Sequence, residues 1–230
     1  MPFEPAVDPQ ETSVAWNGHG GQASYEVRIT NLTRGQPMTP PLAVTHGRSL
    51  SLFRVGRRAS EGIQQIAENG NLAPMLAALD GARHVSAVVV AAGDPVPPLL
   101  PGEERVFPID GDRGAKYLSF VSMLICTNDG FAGLNRLRLP RRVGETVSAY
   151  ARSYDAGTER NTEDFDDLVP PCGPLTGVDS GGAGTGESNP ALAEGRVVRG
   201  HRGIKGRADL TRDIHGWRDP VAHIVVTRVN

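Results

Sequence analysis

Across "SYEVRITNL", Tyr25, Val27 and Ile29 alternate with Glu26, Arg28 and Thr30, the two-residue period of a strand with one buried face. "RSLSLF", residues 48–53, repeats the alternation more briefly and predicts a second strand. The period then changes. In "RRASEGIQQIAENGN", Ile63, Ile66 and Ala67 share one helical face, and Gly70 sits where a helix should stop. "LAPMLAALDG" predicts another short helix, with Pro74 tolerable only in its first turn. Strand signals resume at "HVSAVVVAA", "ERVFPI" and "KYLSFVSMLIC". The first and last are nearly continuously apolar, which predicts central strands covered on both faces. "ETVSAYAR" turns Val147, Ala149 and Ala151 inward, and "AHIVVTRV" ends the pattern. At least seven strands and one helical insertion predict an all-β fold, an antiparallel β-sandwich in a single domain.

Two segments fall outside this pattern. Residues 1–22 are polar, aperiodic and rich in Pro and Gly, and read as an N-terminal tail. Residues 173–190, "GPLTGVDSGGAGTGESNP", are Gly- and Ser-rich and predict a flexible loop. Their "GGAGTG" lacks the preceding strand, the following helix and the closing Lys-Ser or Lys-Thr of a nucleotide-binding loop.

Composition sharpens the picture in three places. With 28 glycines and 18 prolines in 230 residues, short strands and many turns are favoured over long helices. A formal net charge of −2 supplies no field for nucleic acid or an anionic membrane. No apolar run approaches the roughly 20 residues of a transmembrane helix. The N-terminus lacks the basic start and apolar core of a signal peptide, so the expectation is an intracellular chain or one whose signal is absent. Cys126 and Cys172 are the only cysteines, and fit one disulfide or two buried thiols better than zinc. An oxidising compartment would favour a Cys126–Cys172 bridge.

Candidate chemistry concentrates in "SYDAGTERN", where Asp155 and Glu159 lie four apart around Gly157. Asp-Ala-Gly-Thr is turn chemistry, so one reading is a solvated turn. The other is a cation site. If the loop after "KYLSFVSMLIC" meets the loop after "ETVSAYAR", Asp129 joins Asp155 and Glu159. Three crowded carboxylates repel unless a cation neutralises them, and oxygen ligands from loops suit Ca²⁺. The acidic run Glu163, Asp164, Asp166 and Asp167 reads as a solvated face. His19, His46, His84, His201, His215 and His223 show no metal or catalytic spacing, and no G-x-S-x-G elbow is present.

Taken together, several segments resemble the spondin N-terminal domain family. They are "TPPLAVTHGRSLSLFRVGRRASEGIQQIAENGN", "SMLICTNDGFAGLN", "SYDAGTERN" and "DPVAHIVVTRV", in the family's order. The resemblance spans roughly residues 24–230 and suggests a stand-alone bacterial form. It implies an eight-stranded, C2-like antiparallel sandwich over residues 23–230, acting outside the cell or on its surface in adhesion or recognition. It also implies bound calcium, held by Asp129, Asp155 and Glu159. Glu159 stands where the family has Asp, and Gly130-Phe131 replaces a Trp-Phe pair.

The expected function is therefore a secreted or surface calcium-binding module without catalysis, meeting a cell-surface or matrix protein or a polysaccharide. The alternative is a metal-dependent hydrolase using the Asp129, Asp155 and Glu159 cluster, which requires a substrate pocket beside the metal. A third reading, a calcium-bridged membrane binder, relies on exposed loop tips at Phe131 and Leu134.

Overall fold

The computed structural model describes residues 22–92, 98–178 and 181–230. Residues 1–21 of the expected tail, and 179–180 of the expected flexible loop, lie outside the described residues. The alternating strand forms as β1 (Ala23–Asn31), with Tyr25, Val27 and Ile29 buried. β2 (Leu42–His46) follows, then α1 (Glu61–Asn69), α2 (Ala73–Leu79), β3 (Val85–Val90), β4 (Glu104–Gly111) and β5 (Tyr117–Met123). β6 (Gly130–Arg138), β7 (Thr146–Asp155), α3 (Cys172–Thr176), β8 (Arg199–Gly200), α4 (Arg212–His215) and β9 (Ala222–Arg228) complete the described elements.

All strand pairs are antiparallel. The order is β3-β2-β5-β6-β7-β9-β1-β4, with β8 paired to β7 off that path. β7 turns the corner between the two layers of this sandwich. Its first half, Thr146–Ala151, pairs with β9, and its last four residues, Arg152 to Asp155, pair with β6. One core lies between the layers, built on Val27, Ile29, Leu118, Phe120, Ile224 and Val226. A second lies on the far face of β2, β5 and β6, where Val44, Val121, Met123 and Phe131 meet Ile63 and Ile66 of α1. β5 supplies both cores on alternate residues, which accounts for its continuous apolar run.

The helical insertion forms as its caps dictate. Ser60 Oγ accepts from Ile63 N, and Gly70 adopts φ 66° while its N–H bonds to Ile66 O.

Three expectations need correction. "RSLSLF" is not a strand: its main chain is held by a side chain instead, with Leu52 N donating to Asn135 Oδ1. The strand lies just upstream in "LAVTH", a short wholly buried run without alternation. "HVSAVVVAA" is covered on both faces as expected, but β3 ends the strand order rather than sitting centrally. "GFAGLN", read as loop, begins β6. The strand is built from glycines because the space demands it: a Cβ on Gly133 would sit 2.7 Å from the Phe53 ring.

Cys126 and Cys172 form a disulfide across 46 positions, and both sulfurs belong to the second core. Gln36 pins the strand side of the bridge, its Oε1 accepting from Cys126 N. Within 173–190, Thr185 N bonds to Leu168 O and Gly177 closes α3 with φ 70°.

Candidate functional site

β6 begins at Gly130 and β7 ends at Asp155, and these residues are register partners. Asp129 and Asp155 therefore emerge at the same end of the sandwich, and Ala156 N donates to Asp129 O at 2.9 Å. The turn before β6 is held by Thr127, whose Oγ1 donates to Leu124 O and accepts from Gly130 N. A Cβ at residue 130 would lie 2.4 Å from that oxygen, so the turn has room only for glycine there. Gly157 is equally constrained: its φ is 73°, and a Cβ would meet Val197 O at 2.7 Å.

The Asp129 side chain is fully buried. Its Oδ2 accepts from Thr158 N at 2.8 Å and Glu159 N at 3.1 Å. Its Oδ1 is buried with no hydrogen-bond partner among the described residues. Burial, and then the charge of Asp155, pushes the Asp129 carboxyl up to about 7. Asp155 is better served. Its Oδ1 accepts from Gly157 N, and its Oδ2 from Asn161 Nδ2 at 3.1 Å and Arg199 Nη2 at 2.9 Å. Arg199 also reaches Glu194 Oε2 at 2.9 Å, so one guanidinium serves two carboxylates. His201 Nδ1 accepts from Gly203 N, leaving Nε2 to donate to Asn161 Oδ1 at 3.0 Å. Burial holds its imidazole neutral, down at about 4.

Glu159 sends its main chain to Asp129 and its carboxylate elsewhere. Oε1 accepts from Asn189 N at 2.7 Å. Burial pushes this carboxyl up to about 7, and the charges of Glu68, Asp129 and Asp167 act in the same direction. The three expected ligands are thus gathered at one end but their carboxylates are not closed on one point. Among the described residues, a single set of three potential ligand atoms lies mutually within 4.8 Å: Cys126, Cys172 and His215. Both sulfurs there are consumed by the disulfide, so that set holds no metal.

Sequence reasoning missed Arg199 and Glu194, which lie far along the chain, Glu68, which lies inside a helix, and Asn161, which closes the "SYDAGTERN" segment itself. It also misread Glu163. That residue is 3% exposed and its carboxylate accepts from Lys205 N and Arg207 N, so it organises the 205–207 loop rather than facing solvent. The membrane-tip reading loses its residues too. Phe131 is fully buried against Phe53 and Tyr154, and Leu134 packs on the inter-sheet core. A cavity of about 510 Å³ lies against Phe165, Val169 and Pro174, and none of Asp129, Asp155 and Glu159 lines it.

The fold is an antiparallel β-sandwich with buried acids gathered from loops at one end. A family model for the spondin N-terminal domain, Spondin_N, matches residues 32–164, more than half of the chain, and the chain belongs to that family. No curated protein matches it. Family membership supports an extracellular module of the recognition or adhesion type. Among the described residues, no helix is long and apolar enough to cross a membrane.

Proposed function

We propose that this domain is a non-catalytic recognition module, secreted or held at the cell surface, whose loop end is organised by Ca²⁺. Asp129, Asp155 and Glu159 would hold the ion, and its partner would be a cell-surface or matrix protein or a polysaccharide. The observation that carries this reading is Asp129 Oδ1, a buried acceptor without a donor. Buried carboxylate oxygens are ordinarily satisfied, and a group left bare at the end of a sandwich is a reason to expect an ion. The donor set agrees: carboxylates and loop carbonyls are hard oxygen ligands of the kind Ca²⁺ takes. When bound, the ion supplies positive charge that draws the carboxylates together and fixes the loops.

The residues around it prepare that arrangement. Thr158 and Glu159 amides aim Asp129, while Gly157 folds the loop back under Val197. Arg199 holds Asp155 in place and supplies part of the counter-charge. That none of the three acids lines the cavity beside Phe165, Val169 and Pro174 favours a module over a hydrolase.

Thermal melting with added Ca²⁺ and with chelator tests the reading, paired with binding to polysaccharide or cell-surface material. Melting should rise with calcium by the linkage expected of a native-state ligand, about 2.7 kcal/mol at a hundredfold excess over Kd. Asp155→Ala should remove most of that response, and surface binding should weaken on chelation. A melting temperature indifferent to calcium and chelator would reject the calcium site. Hydrolytic turnover lost in Asp155→Ala with the fold intact would replace the module by an enzyme.

A further inference from the structure

We propose that Glu68, on α1, is a fourth carboxylate of the cation site, so that ion binding fastens the helix to the loop end. This rests on the calcium reading above and extends it to an element that carries none of the three expected ligands.

Glu68 is 5% exposed, and its Oε1 is buried with no hydrogen-bond partner among the described residues. Its other oxygen has one contact, from Gln64 Nε2 at 3.3 Å, one turn back on the same helix. Glu68 Oε1 and Asp129 Oδ1 are the two buried side-chain polar atoms left in this state among the described residues. Glu159 connects them: its main-chain N–H binds Asp129, and its carboxylate accepts from Asn189 N, the neighbour of the Ser188 that α1 holds.

The frame around this acid pair is already built. From α1, Gln65 and Asn69 donate to Ser188 Oγ at 3.4 and 3.0 Å. The next residue, Asn189, donates its main-chain N–H to Glu159 Oε1 and its side chain to Asp167 Oδ1 at 3.5 Å. No ion pair among the described residues involves Glu68, Asp129, Glu159 or Asp167, whereas Asp155 and Glu194 share Arg199. Charge is thus balanced on the β8 side of the loop end and uncompensated on the helix side. A helix that buries Ile63, Ile66 and Ala67 gains nothing from adding a bare carboxylate to that face. A divalent cation drawn between the Asp129 turn and Glu159 gives the Glu68 oxygen its partner.

The test uses the whole chain and calcium alone. Calorimetric titration compares wild type with Glu68→Gln and Asp129→Asn, and hydrogen exchange of the α1 amides is read with calcium and with chelator. Glu68→Gln should weaken calcium binding about 10- to 100-fold, the usual effect of losing a supporting ligand group. It should also melt higher than wild type in chelator, because an amide removes an uncompensated charge. A residue with a merely structural role would melt lower. Calcium should slow α1 exchange in wild type and not in Glu68→Gln. Unchanged affinity in Glu68→Gln, or α1 exchange indifferent to calcium, overturns the proposal. If Asp129→Asn loses binding while Glu68→Gln keeps it, the calcium reading survives and this inference fails. If wild type binds no calcium, both fail. Should Glu68→Gln not fold, Glu68→Asp, which keeps the charge but shortens its reach, must show the weakened affinity.

Discussion

Breaking the Cys126–Cys172 bridge should cost this domain much of its stability. The bridge closes a loop across 46 positions. The chain-entropy model assigns a loop of that size about 4 kcal/mol at 25 °C, a large share of the roughly 5–15 kcal/mol by which folded domains are stable. Reduction isolates this contribution, because both sulfurs stay in the core. Replacing both cysteines with Ala also removes buried packing, adding about 1 kcal/mol per side chain. Urea unfolding at pH 7 is the assay. With a slope of about 2–3 kcal/mol/M, reduction should lower the midpoint by roughly 1.5–2 M. The closed loop contains Asp129, Asp155 and Glu159, so reduction should weaken the calcium response as well. A midpoint that moves by less than about 0.3 M on verified reduction would refute the reasoning, because the crosslink would then restrict nothing. Titratable thiol in unreduced, unfolded protein would refute the bridge itself.

Acid should destabilise the fold through His46, whose neutral ring donates from Nδ1 to Gly47 O and accepts at Nε2 from Ser119 Oγ. Burial lowers its pKa below the unfolded value of about 6.5, so the unfolded chain binds more protons and stability falls as pH drops below that value. His46→Gln should flatten the difference in urea midpoint between pH 7 and pH 5, and an equally steep loss in the variant would be against it. Arg199→Met leaves Asp155 without its counter-charge and Glu194 with Arg196 alone, and should cost a few kcal/mol in chelator, less in calcium, by thermal melting. Gly130→Ala forces a methyl against Thr127 Oγ1 and should cost about 1–3 kcal/mol by urea unfolding, with calcium affinity falling alongside.

What the sequence disclosed follows from where periodicity is strong. β1 has water on one face and core on the other, so its alternation is visible, and α1 announces itself through Ser60, its apolar face and Gly70. β2 and β6 are hidden for opposite reasons: β2 is buried on every residue, while β6 is built of small residues that yield to Phe53 and Thr127. Asp129, Asp155 and Glu159 were legible because short turn motifs carry them. Their environment was not. Arg199 stands 44 positions from Asp155, and Glu68 looks like any polar residue of an amphipathic helix until its burial is known. Distances of that kind are created by the fold, and no local pattern reports them.

The place of β9 between β1 and β7 has a consequence for how the chain is made. Residues 222–228 are an inner strand of their layer, yet they follow every other described strand in order of synthesis. Until they arrive, the β1–β4 pair has an open edge at β1 and the first half of β7 another, and the two cannot meet. Sheet completion is therefore the last event rather than the first, and depends on contacts of very long sequence separation, the slow kind. A nascent chain of this topology cannot close that layer until residues 222–228 have been made.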